Sequence, residues 1–188
     1  MVKLLQSLSI FYFLPVVRLY IYFSDFCFLV QTHLLKSILN FIKNHYKCQF
    51  KILTCISGVD YPEKLLRFSL VYELLSLKYN NRLRIKIFLD ELTPMESIEK
   101  IYSGAYWWEC EIWDMFGVYF LGKKQMTRLL TDYGFLGYPL RKDFPLSGFF
   151  ESKYSLIKSR VIYENIELAQ EYRAFDFTSP WETAPNNN

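Results

Sequence analysis

The chain has 188 residues, 52% of them hydrophobic and 22% charged, which suits one globular domain with an appended tail and excludes a disordered chain. A net charge of +3 with no basic block gives nucleic-acid binding little support. The 19% aromatic content suits a protein buried inside an assembly, because rings are enriched at interface cores, although an AT-rich genome inflates Phe and Tyr as readily.

From Leu4 to Leu35 the only formal charges are Arg18 and Asp25. The uncharged run from Leu4 to Val17 falls short of the roughly 20 residues that span a bilayer, and Arg18 would sit mid-membrane in any longer span. A small-residue cleavage site is not evident, nor is the Arg- and Ser-rich pattern of a transit peptide. The segment reads instead as two strands, 16–23 and 26–30, of a buried hairpin around Ser24 and Asp25. A spanning anchor within residues 4–30 is the rival reading.

Thr32 is a plausible N-cap for a helix running to about Asn44, with Leu35, Ile38, Leu39, Phe41 and Ile42 on its apolar side. Residues 48–56 predict a strand that ends at Gly58, and Asp60-Tyr61-Pro62 a turn. Residues 66–77 alternate, Asn80-Asn81 marks a hairpin turn, and residues 82–90 form the cleanest strand. Leu83, Ile85, Ile87 and Leu89 oppose Arg82, Arg84 and Lys86 there, so one sheet face is wet or meets a charged partner. The fold class is α+β over residues 1–118, a mixed β-sheet packed with helices. A long irregular C-terminal extension follows over residues 119–188.

Cysteines stand at 27, 48, 55 and 110, with no Cys-x-x-Cys and no ferredoxin or zinc-ribbon spacing. His45, Cys48 and Cys55 lack a fourth ligand, so these are read as core thiols of a reducing compartment. Cys110 lies between Glu109 and Glu111, whose negative charge disfavours the thiolate.

The stretch 106–150 is dense in rings, yet Glu109, Glu111, Asp114, Arg128, Asp132, Arg141, Lys142 and Asp143 are threaded through it. Buried charges need partners. The stretch has no histidine and no Gly-rich phosphate loop, so it reads as an interlocking surface with no catalytic, cofactor-binding or metal-ligating residues. Ser103 should cap a helix through Phe116, with Gly117 at its C-terminal end. On that helix Ala105, Trp108, Ile112, Met115 and Phe116 share an apolar arc that contains Glu109, while Glu111 and Asp114 fall outside it. Glu109 is therefore expected to pair with Arg128 or Arg141 and pin the following loop. Further on, strands are expected near 153–156 and 161–163, and Phe175, Phe177 and Trp181 read as interface anchors of an extended tail.

At these residues the chain resembles the 30-kDa subunit family of respiratory complex I. The family pattern Glu-Arg-Glu stands here as Glu109-Cys110-Glu111, and Asp-Met-Phe-Gly as residues 114–117. Leu-Thr-Asp-Tyr-Gly-Phe is residues 130–135, and His-Pro-Leu-Arg-Lys-Asp-Phe-Pro is residues 138–145 with Tyr138 for its histidine. Gly58-Val59-Asp60-Tyr61-Pro62 and the tail from Phe175 to Glu182 extend the likeness. Cys110, Lys123, Thr127 and Tyr138 depart from the family's arginine, histidine, arginine and histidine. The resemblance implies a core, non-redox subunit of the quinone module of the matrix-facing peripheral arm. It would pack beside the "49-kDa" subunit, with FMN and iron–sulfur clusters held by partner subunits. Absent import signals, joined to the resemblance, suggest a chain made inside the mitochondrion and peripheral to its inner membrane. The same family in a plastid or bacterial complex is the near alternative.

Overall fold

The computed structural model describes residues 15–22, 25–123 and 125–175, so the expected anchors Phe177 and Trp181 lie outside the described residues. The chain divides into two compact units, residues 1–146 and 147–188. In the first unit, β1 (Arg18–Tyr22) and β2 (Asp25–Leu29) form a hairpin, and a 3-10 turn (Thr32–Leu34) leads into α1 (Leu35–Asn44). Three nine-residue strands follow: β3 (Ile52–Asp60), β4 (Phe68–Ser76) and β5 (Asn81–Leu89). The sheet order is β1-β2-β5-β4-β3, with β2 parallel to β5 and the other pairs antiparallel. The mixed sheet expected from sequence is present.

Alternation on these strands builds the core. Phe28, Ile85, Tyr72 and Ile56 stand opposite one another across four strands, and Leu83 with Leu74 and Ile87 with Leu70 form the adjacent rows. Leu35, Ile38, Leu39 and Ile42 of α1 are buried in the same hydrophobic cluster. A fully buried side chain of this size contributes about 1.5–3 kcal/mol. Directly opposed on the other face, Arg84 and Glu73 form an ion pair, and Arg82 and Arg84 are exposed, as the charged alternation predicts.

Several boundaries differ from the sequence reading. Strand β3 runs past Gly58 to Asp60, and Ser103 does not cap the helix that opens at Ala105, where Gly104 stands at the N-cap with no side-chain hydrogen bond. Thr32 does not cap α1: it opens the 3-10 turn, and no side chain caps either helix start. The strand expected from Cys48 begins at Ile52, because Gln49 takes a positive φ of 46° and breaks the extension. The buried bend is held by the Ser76 hydroxyl donating to the Cys48 carbonyl at 2.9 Å and the Tyr102 hydroxyl to the Phe50 carbonyl at 2.6 Å.

After β5 come the two-residue β6 (Met95–Glu96), α2 (Ala105–Phe116) and β7 (Phe120–Leu121), which pairs parallel with β6. Helix α2 ends at Gly117, whose φ of 80° is the left-handed turn a glycine permits. Its last turn lies on β3 where the strand has no side chain: a Cβ at Gly58 would stand 2.7 Å from the Phe116 ring. The unit boundary falls after Leu146, so residues 119–146, although irregular, group with the first unit.

The second unit contains β8 (Phe150–Ser155) and β9 (Arg160–Asn165), an antiparallel hairpin. Register sorts its faces. Phe150, Tyr154, Val161 and Tyr163 share one face, and all are exposed. Glu151, Lys153, Arg160 and Glu164 share the other, where Lys153 pairs with Glu164. Among the described residues no helix is long and apolar enough to cross a membrane.

Candidate functional site

Three buried carboxylates organise the region that the sequence singled out. The first is Asp114 of α2, whose side chain is fully buried. One of its oxygens accepts the backbone N–H groups of Leu129, Leu130 and Thr131 at 3.1, 2.9 and 3.0 Å. The other accepts the Thr131 hydroxyl at 2.6 Å and the Arg128 guanidinium at 2.9 Å. Arg128 also donates to the Gly137 carbonyl at 3.2 Å and lies over the rings of Trp113, Phe135 and Tyr138. Burial pushes the Asp114 carboxyl up, but the bonds from Thr131, Leu130 and Arg128 outweigh it and hold the group below the usual carboxylate range. Loop 128–138 is thus wrapped around one carboxylate. Asp114 was expected outside the apolar arc; its charge is buried because the returning loop, and not solvent, supplies its donors.

The second is Glu109, and here the sequence expectation is overturned. Glu109 pairs with neither Arg128 nor Arg141. It is fully buried and accepts the Ser97 hydroxyl at 2.7 Å and the Ile98 N–H at 2.8 Å. Lys123, whose side chain is also fully buried, stands 3.6 Å away, donates to the Tyr106 carbonyl and lies over the Tyr106 ring. Glu109 therefore ties α2 to the segments after β6 and β7. Burial raises its carboxyl above the ordinary range against the lowering pull of Ile98, Ser97 and Lys123. The physical reason for the different partner is direction: Asp114, nearly one and a half turns further along α2, faces the returning loop, whereas Glu109 faces β6.

The third carboxylate, Asp60 at the end of β3, was not singled out. Arg67 forks onto it with bonds of 2.8 and 3.0 Å and reaches Asp143 at 2.9 Å and Glu91 at 3.6 Å. Asp60 also accepts the Lys142 backbone N–H at 2.8 Å. Arg141 bonds Glu91, donates to the Phe116 carbonyl at 2.7 Å, and lies over Phe68 and Tyr138. A Cβ at Gly117 would strike both Arg141 and Tyr138 at 2.7 Å, so that glycine admits the arginine as well as the turn. The bond from Arg67, before any other cause, holds Asp60 below its ordinary range, and the same guanidinium lowers Asp143. The signal that could have found this cluster was Asp60 inside the Gly-Val-Asp-Tyr-Pro run and a lone arginine at the head of an apolar strand.

The remaining expected residues fall outside these clusters. Lys142 contributes its backbone while its side chain is exposed. Asp132 is exposed and accepts the Tyr133 N–H at 2.8 Å. Glu111 is half-buried, one turn beyond the exposed Trp107. Phe175 is exposed. Cys27, Cys48 and Cys110 are buried free thiols, and no three of the described His, Cys, Asp and Glu residues are grouped to hold a metal.

The charge clusters brace: each carboxylate is bonded to backbone N–H groups, hydroxyls or cations of neighbouring segments. Outside them the loop presents Leu130, Tyr133, Leu136 and Leu140, all exposed. The bracing is pH-sensitive with a definite sign. Asp60 and Asp114 titrate below the ordinary 3.8 in the folded chain. Their stabilisation is complete above that ordinary value and is lost as pH falls through the lower folded values. Glu109, shifted upward, takes up its proton in the folded chain more readily and does not add to this loss. The unfolding temperature of the full chain should thus fall as pH drops below the ordinary carboxylate value of 3.8, and Asp60→Asn should flatten that fall.

Comparison with known proteins gives this arrangement relatives. Residues 28–150 match the family described as "Respiratory-chain NADH dehydrogenase, 30 Kd subunit". NADH-ubiquinone oxidoreductase subunit 9 of Prototheca wickerhamii is 50% identical over 165 residues, covering 88% of this chain and 86% of that protein. NADH dehydrogenase (ubiquinone) iron-sulfur protein 3 of Patellifolia webbiana is 49% identical over 157 residues, covering 84% and 82%. Among solved structures, a chain of the membrane-bound sulfane sulfur reductase, an archaeal respiratory membrane complex, superposes with a TM-score of 0.65 at 26% identity, over 75% of this chain and 84% of that one.

Proposed function

Because this chain belongs to the 30-kDa subunit family of respiratory-chain NADH dehydrogenase, we propose that it serves its complex as a bracing subunit of the peripheral arm, with no catalytic site of its own. The complex is an NADH:ubiquinone oxidoreductase, and other subunits of that complex are the partners of this chain. The finer placement is our reading: the quinone module, beside the "49-kDa" subunit, on the matrix side of the mitochondrial inner membrane. FMN and iron–sulfur clusters belong to the partner subunits, and mitochondrial synthesis of the chain is part of the same reading.

One observation carries the proposal. Asp60, Asp114 and Arg128 are bonded inward, so the loop they hold is rigid, and its outward residues Leu130, Tyr133, Leu136 and Leu140 are apolar. A fixed loop with outward rings and aliphatics is an anchor for another chain. The β8–β9 hairpin adds to this, since an isolated two-stranded hairpin is marginal in water and this one leaves its aromatic face exposed. Electron transfer and quinone reduction depend on fixed geometry between neighbours, which such a subunit supplies.

The test is a native gel of mild-detergent mitochondrial extract, probed for this chain and stained for NADH dehydrogenase activity. Co-migration with the large active band supports the reading, and a separate small species overturns it. Alkaline carbonate should release the chain; retention would favour an anchored scaffold. Arg141→Ala removes the grip on Phe116 and Glu91, and should lower the amount of assembled complex severalfold while the turnover of what remains is unchanged. Normal assembly with selective loss of turnover would contradict the purely bracing role.

A further inference from the structure

We propose that the sheet end where β4 turns into β5 is a docking surface for a short acidic segment of a neighbouring subunit, an inference that rests on the chain being part of a larger complex. No Asp or Glu occurs from residue 26 to 59 or from residue 74 to 89. Some cations of these two stretches are occupied internally: Lys36 with Glu96, Lys43 with the Ile101 carbonyl, and Arg84 with Glu73. Lys47, Lys51, Lys78 and Arg82 are exposed and have no carboxylate partner among the described residues.

The topology gathers these four. Ile52 at the start of β3 stands opposite Leu75, which stands opposite Arg82, so Lys51, Lys78 and Arg82 share one end of the sheet. The loop after α1 is fastened to the same end, by the Tyr79 hydroxyl donating to the Tyr46 carbonyl at 3.0 Å and by Ser76 donating to the Cys48 carbonyl. Lys78 lies 5.0 Å from the centroid of the Tyr46 ring and 5.4 Å from that of Tyr79. Tyr46 and Leu77 are each 71% exposed. The surface is therefore four cations without a described carboxylate partner, around an exposed ring and an exposed leucine. Charge complementarity calls for carboxylates, and the ring and leucine give the segment's apolar side chains a seat. The small extent of the patch favours a short peptide segment over a phosphate polymer, which needs a continuous basic stripe. It also favours a peptide over an anionic membrane, whose diffuse surface field draws in cations without a seat for the ring and the leucine.

Carbodiimide treatment of the intact complex tests this, because it joins a lysine amine to a carboxylate only where the two touch. The expected result is cross-linked peptides that connect Lys47, Lys51 or Lys78 to Asp or Glu of another subunit. The quadruple variant Lys47→Glu, Lys51→Glu, Lys78→Glu, Arg82→Glu should also retain the chain in the complex at least about fivefold less well in high salt. Its own thermal unfolding should change little, since none of the four has a carboxylate partner among the described residues and only Lys78 lies over rings. The proposal is overturned if these lysines are acetylated as readily in the complex as in the free chain and the variant assembles normally. It is also overturned if no protein cross-link forms and the full chain instead sediments with phosphatidylcholine–cardiolipin vesicles through these residues. A chain absent from the large active band defeats the proposed function itself; a chain present there with a free patch defeats only this inference.

Discussion

Asp114→Asn is expected to lower the unfolding temperature of the full chain by roughly 10 °C and to deplete the assembled complex. The substitution keeps the shape of the side chain and removes its charge. Asp114 receives three backbone N–H groups, a hydroxyl and a guanidinium on two oxygens. Asparagine offers one oxygen, and its amide nitrogen meets donors. Arg128, with its side chain only 21% exposed, then loses its counter-ion. Removing one partner of a buried pair costs about 3–5 kcal/mol, because the other charge is left uncompensated. At about 2–4 °C per kcal/mol for a chain of this size, that gives the stated shift. Amides of residues 129–131 should lose hydrogen-exchange protection before the sheet does. Asp132→Asn, at an exposed position, should stay within about 0.5 kcal/mol. Equal effects of the two variants would mean that the Asp114 site is hydrated and the loop is held by its rings alone.

The sheet was legible because period-2 alternation has a single physical solution once one face is buried. Leu83, Ile85, Ile87 and Leu89 could face only a core, and Arg82 and Arg84 only water or a partner. Helix α2 was legible in extent, from Gly117 as its stop, but not in the partners of its carboxylates. Placing residues on a helix wheel locates Glu109 in the apolar arc; it says nothing of which later segment returns to meet it. That choice was made by Lys123 and Ser97 for Glu109, and by backbone N–H groups of residues 129–131 for Asp114. Backbone donors have no sequence signature. The extension after 118 read as one irregular region because proline and glycine punctuation looks the same in a loop tied to a core and in a free tail. The distinction lies in Asp60, Arg67 and Glu91, residues of the sheet and its connections that take hold of Arg141, Lys142 and Asp143.

Arg67→Ala should release that second attachment, with a loss of about 3–5 kcal/mol in the full chain and residues 138–146 detaching first. Arg67 is the only side chain that bonds Asp60, Asp143 and Glu91 together among the described residues. Without it, Asp60, 3% exposed in the intact chain, keeps the Lys142 N–H as its remaining described donor. The largest cause of its lowered titration is then gone, so Asp60 takes up a proton at higher pH and the acid limb of the stability profile moves upward. Arg67→Lys separates charge from geometry. An ammonium can satisfy Asp60 or Asp143 but cannot fork across Asp60 while reaching Asp143, so it should recover only part of the loss, with a residual deficit of about 1.5–3 kcal/mol. Asp143→Asn, whose side chain is 62% exposed, should cost far less than either, because water replaces its bond to Arg67. The ordering Ala, then Lys, then Asp143→Asn, read as unfolding midpoints in denaturant at pH 7, distinguishes a forked buried anchor from a general need for positive charge. If lysine restored full stability, the fork would be irrelevant, and the hold on the loop would reside in the Arg141 grip on Phe116 and Glu91 instead.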